Sequence, residues 1–105
     1  MNADALQKVS VFISSVRASG IPVNAAYVFG SQATGKARSY SDIDVCIVST
    51  AFGRDPIAEM VSLRRIAYPL DPRIEPITLH PDDFNDRYSS LIAEIKHTGI
   101  SIVTP

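Results

Sequence analysis

At 105 residues, with 46% hydrophobic and 20% charged side chains, the chain has the size and make-up of one small globular domain. Its formal net charge of -1 excludes a field strong enough to draw nucleic acid unaided, so a polynucleotide contact would need a local basic patch. A single cysteine excludes an internal disulfide, no apolar run approaches bilayer length, and no basic-then-apolar leader opens the chain, which together predict a cytoplasmic protein.

Leu6, Val9, Ile13 and Val16 recur at helical spacing and predict an amphipathic first helix, stopped by Gly20 and Pro22. Ala25 to Phe29 is an apolar run that predicts a buried strand. Ser31 to about Lys36 reads as a turn or short helix, with Gly35 permitting a tight bend, and Lys36 to Tyr40 as a polar loop. Ile43 to Val48 predicts a second strand, in which Cys46 is expected to be a small core residue rather than a reactive thiol. Asp55 before Pro56 is a helix start, the acid as cap and the proline at the first helical position. Ile57, Met60, Val61, Leu63, Ile66 and Ala67 mark one face of that helix.

Asp71-Pro72 breaks the chain again, and Ile74 to Leu79 predicts a third strand. Pro76 within it cannot donate a ladder hydrogen bond, which places this strand at a sheet edge or on a bulge. Pro81, Asp82 and Asp83 open a last helix, with Phe84, Tyr88, Leu91, Ile92 and Ile95 as its buried side and Gly99 at its end. Ile100 to Val103 then supplies a short final strand. The alternation predicts an α/β fold, a small mixed β-sheet flanked by helices, in a single domain over residues 1–105.

Chemistry is concentrated between residues 30 and 44. Gly30 and Ser31 sit where a strand becomes a turn, and glycine there lets the backbone approach an anion while the serine hydroxyl adds a donor. Ten residues on come Asp42 and Asp44. Alternate side chains of a strand share a face, so the two carboxylates should point the same way, opposite Ile43, Val45 and Ile47. Carboxylates held that close repel each other unless a cation or proton intervenes, and a hard divalent ion suits an all-oxygen set.

The spacing GS-x10-DxD, closing in SDIDV, resembles the minimal nucleotidyltransferases of the DNA polymerase beta superfamily, and the likeness runs over nearly the whole chain. It implies a polymerase-beta-like fold in which Gly30 and Ser31 hold the triphosphate of ATP while Asp42 and Asp44 bind Mg²⁺. Two-metal phosphoryl chemistry calls for a further carboxylate and a base. Glu75, the one acid inside the third strand, is the candidate for both, since the family usually carries an acid there. Asp42, Asp44 and Glu75 are thus the expected catalytic and metal-binding residues, and Gly30 and Ser31 the nucleotide-binding ones.

The resemblance further implies AMP transfer to a hydroxyl on a partner protein, as in the antitoxins of HEPN–MNT pairs, with a small helical HEPN-type toxin as partner. A partner-binding protein without chemistry and an antibiotic-modifying transferase are the alternatives, the latter usually longer. Self-association is left open. Thr34 stands where the family often has an arginine before the glycine matching Gly35. Lys36 and Arg38 are read as either phosphate contacts or solvated charges, Arg64, Arg65 and Arg73 as surface charges, and His80 and His97 as lacking metal-ligand partners.

Overall fold

The computed structural model describes residues 1–102. The elements run α1 (Ala3–Ala18), β1 (Ala25–Phe29), α2 (Ser31–Thr34), β2 (Ile43–Val48), α3 (Pro56–Leu70), β3 (Ile74–Leu79), a 3-10 turn (Pro81–Asn85), α4 (Ser90–Thr98) and β4 (Ile100–Ser101). The strands form one mixed sheet in the order β3-β2-β1-β4. β1 lies antiparallel to both neighbours, whereas β2 and β3, joined through α3, run parallel. β3 is therefore an edge, and its register continues unbroken through Pro76 opposite Val45. An edge strand has a neighbour on one side only, which is where a residue without an N–H is tolerated.

Strand alternation divides the core between the two faces of the sheet. Ile43, Val45 and Ile47 pack with Val9, Phe12, Ile13, Leu63 and Ala67 under α1 and α3. Phe29, Cys46, Val48 and Leu79 pack with Ile92 and Ile95 of α4 on the other face. Cys46 is buried as expected, and burial pushes its thiol up to about 12, so it is a core residue.

Helix ends are set by local polar groups. Asn2 accepts the Ala5 amide at 2.8 Å and Asp55 that of Ala58 at 3.2 Å. Glu59 reaches back to the amides of Gly53, Arg54 and Asp55 at 2.9, 3.1 and 3.1 Å, fastening the loop that enters α3. Those hydrogen bonds hold the Glu59 carboxyl below its usual range.

Several expected placements change. The predicted last helix is two pieces. His80 caps the 3-10 turn in a reciprocal box with Asp83, Asp86 accepts the Tyr88 amide at 3.0 Å, and Ser89 caps α4 through the Ile92 amide at 3.2 Å. Three side-chain caps in ten residues favour a break over a continuous helix, and Tyr88 falls within it, exposed rather than buried. His80 is thus a capping residue, and among the described residues it joins no group of metal-ligating side chains. Leu6 is exposed while Ala5 takes the inward position, and Ile57 and Val61 face outward because the sheet covers only the stripe around Leu63 and Ala67. The final strand ends at Ser101; Val103 lies outside the described residues.

Arg73 is no free surface charge. It grips Asp71 through Nε and Nη2, the shortest contact 2.7 Å, and extends to the Ser39 carbonyl at 3.0 Å and Asp4 at 3.2 Å. With the Ile43 amide donating to its carbonyl at 2.8 Å, Arg73 ties α1, the loop before β2 and the start of β3 together. The hydrogen bond from Arg73, outweighing burial, holds the Asp71 carboxyl below its ordinary value of 3.8. A lowered native value means that this stabilisation is complete above that ordinary value and is lost as pH falls through the lowered one. Asp71→Asn should therefore cost about 2 kcal/mol at pH 7, and the gap in thermal midpoint from wild type should close as the pH is taken below 4.

Candidate active site

Gly30 follows β1 with φ 72° and ψ -152°, a conformation open in practice to glycine alone. Its carbonyl accepts the amides of Ala33 and Thr34 at 3.1 and 3.2 Å, starting the single turn of α2, which Gly35 ends in the left-handed region. The same register that pairs Phe29 with Asp44 brings the Asp44 carboxyl over Gly30. A Cβ built on Gly30 would collide with Asp44 Oδ2 and stand 3.3 Å from its Cγ. The aspartate occupies the room that a side chain would fill.

β2 and β3 set Asp44 opposite Glu75, and in-register parallel neighbours share a face. Adjacent strands lie about 4.8 Å apart, so the two acidic side chains spring from neighbouring points. Asp42 stands just before β2 and is exposed. Burial, followed by the charges of Asp42, Glu75 and Glu94, raises the Asp44 carboxyl above its ordinary 3.8. Glu94 comes from α4, whose Ile92 and Ile95 pack on this face of the sheet. Sequence reading passed over it, because its nearness to Asp44 comes from helix–sheet packing and leaves no mark in local spacing.

Glu75 has a second neighbour. Arg64 of α3 reaches round the edge strand and sets Nη2 3.6 Å from Glu75 Oε2, with both side chains largely open to solvent. Among the described residues no three His, Cys, Asp or Glu side chains are gathered as a ready metal cage. A divalent cation nevertheless suits what is present: an all-oxygen donor set, a half-buried Asp44 crowded by other negative charges, and a bare Cα at Gly30. Cation binding at Asp44 would relieve the repulsion that now disfavours its ionised form.

Residues 10–99 match the family model described as Nucleotidyltransferase domain. Among solved structures, the chain is similar to a Sulfolobus solfataricus protein described as a candidate nucleotidyltransferase, with TM-score 0.71 and 19% identity over 96% of this chain and 81% of that one. A toxin-antitoxin structure with AMP-PNP matches with TM-score 0.66 and 24% identity over 95% of this chain and 73% of that one. A mutant of the toxin-antitoxin pair MntA-HpeT, in which two aspartates two positions apart are glutamates, matches with TM-score 0.64 and 20% identity over 100% of this chain and 75% of that one. At such identities the likeness is one of fold. No curated protein matches the chain at a significant level.

Two stability measurements probe the seat of Asp44. Gly30→Ala should cost about 1–3 kcal/mol for the backbone conformation alone, with further loss as the new methyl displaces Asp44. Asp44→Asn should raise the thermal midpoint at pH 7, because a raised native pKa means that ionised Asp44 opposes folding. That gain should vanish below pH 3.8, where the carboxyl is protonated in both folded and unfolded chains.

Proposed function

The chain belongs to the nucleotidyltransferase domain family, and from that membership we propose that it transfers AMP from ATP to a hydroxyl on a partner protein. The observation that carries the proposal is the Asp44 carboxyl seated on Gly30 with Glu75 next to it in register, acid and phosphate-holding turn side by side. Asp42, Asp44 and Glu75 would hold Mg²⁺, which when bound supplies positive charge to the phosphates and the departing pyrophosphate.

The turn that Gly30 opens would offer its backbone N–H groups to the triphosphate, and the Ser31 hydroxyl would donate to a phosphate oxygen. Glu75 accepts the proton of the acceptor hydroxyl. The freed oxygen forms a bond to the α-phosphorus as the bond to pyrophosphate breaks, leaving AMP on the acceptor. Likeness to chains from two toxin-antitoxin structures, one with AMP-PNP, supports ATP as donor and a toxin as acceptor; that the toxin is of the small helical HEPN type rests on the family resemblance alone. The antitoxin role follows from that modification.

The Arg64–Glu75 contact favours a second reading. A carboxylate with one oxygen already facing a guanidinium is less available as a base, as it would be in a protein that neutralises its partner by binding alone.

Labelled ATP separates the two. Incubated with Mg²⁺ and the co-expressed partner, wild type should transfer label, whereas Asp42→Asn and Asp44→Asn should fold and transfer none. Label-free partner in the wild-type reaction would leave the binding reading standing. Glu75→Gln should lower the turnover rate by about two to four powers of ten while changing nucleotide affinity little; equal losses in both would make Glu75 a ligand only.

A further inference from the structure

We infer that the outer face of α3 is the docking surface for the acceptor, and that it takes an acidic amphipathic helix of a protein other than this chain. The inference rests on the transferase reading, since it names where that reaction's acceptor is held. Ile57, Val61 and Tyr68 are 79%, 41% and 72% exposed, so three large apolar side chains stand in water along one helix. Their spacing puts them in a single stripe, with Arg64 and Arg65 between Val61 and Tyr68. Two shallow concavities of about 420 and 480 Å³ lie along it, and both are lined by Arg64 and Val61.

The stripe leads to the chemistry. A third cleft of about 250 Å³, again lined by Arg64 and Tyr68, ends on Glu75. A helix lying along α3 would therefore be carried to the edge of β3, beside the carboxylate assigned to receive the acceptor's proton. Its own acids would compete for Arg64. An exposed pair at 3.6 Å is cheaply exchanged, so docking would release Glu75 as it seats the acceptor.

Charge chooses the occupant. Glu59 is the one acid of α3, and its carboxylate is folded back on three backbone amides, so the charges α3 itself brings to the stripe are those of Arg64 and Arg65, with the Glu75 carboxylate of β3 at its far end. Twofold pairing of two copies through this face would set Arg64 and Arg65 against themselves. A partner with apolar side chains flanked by glutamate or aspartate meets both features at once.

The probes are two synthetic helical peptides with one leucine stripe, flanked by glutamates in the first and by lysines in the second, titrated into the full chain by NMR. The glutamate peptide should bind about tenfold or more tightly, shift the amides of Ile57 through Tyr68 and of Glu75, and weaken about tenfold against Arg64→Glu. Equal affinity for the two peptides, binding by neither, or shifts confined to other elements would overturn the inference. So would a wild-type dimer that Ile57→Asp converts to monomer. Magnesium-dependent shifts at Ser31 with ATP, read in the same samples without peptide, test the transferase reading separately.

Discussion

One close approach organises this molecule: the carboxylate of Asp44 lying where Gly30 has no side chain. It requires glycine for conformation and for space together, and it requires β1 and β2 to keep their register from Ala25 opposite Val48 to Phe29 opposite Asp44. Either a residue slip or a methyl group separates the acid from the turn. Cys46 and Val48, buried on the same face under α4, fix that register, because a slip by one residue would send them to the opposite layer.

The site is built at an electrostatic cost that the rest of the fold offsets. Asp44 is half-buried among the charges of Asp42, Glu75 and Glu94, and its ionised form is disfavoured in consequence. Away from the site, Arg73 joins α1, the loop before β2 and the head of β3 through charged hydrogen bonds, part-buried at Asp71 and exposed at Ser39 and Asp4. The loop that delivers Asp42 is thus anchored from behind, at Ser39, and among the described residues the acid itself has no ion-pair partner. Such an arrangement suits a position to be completed by a ligand rather than by the protein.

How much of this was legible in the sequence depended on whether a feature was local. The three main strands lie where continuous apolar runs placed them, and Pro76 marked its strand as an edge because the missing N–H is a property of the residue itself. Gly30, Ser31, Asp42 and Asp44 could be singled out by spacing and residue type, and Glu75 through family resemblance. Periodicity failed where it counted apolar residues without knowing how wide a stripe the sheet covers, as at Leu6, Ile57, Val61 and Tyr88. The break at residues 86–89 depends on competing side-chain caps, and the reach of Arg64 round β3 and of Glu94 toward Asp44 depends on packing. Neither leaves a period to find.

Binding of a non-hydrolysable ATP analogue, followed by calorimetry with and without Mg²⁺, tests the union of acid and turn most directly. The wild-type chain should bind only when the metal is present, and Gly30→Ala, shown to be folded by its circular dichroism, should not bind under either condition. Binding that is indifferent to magnesium, or undiminished in the alanine variant, would contradict the account.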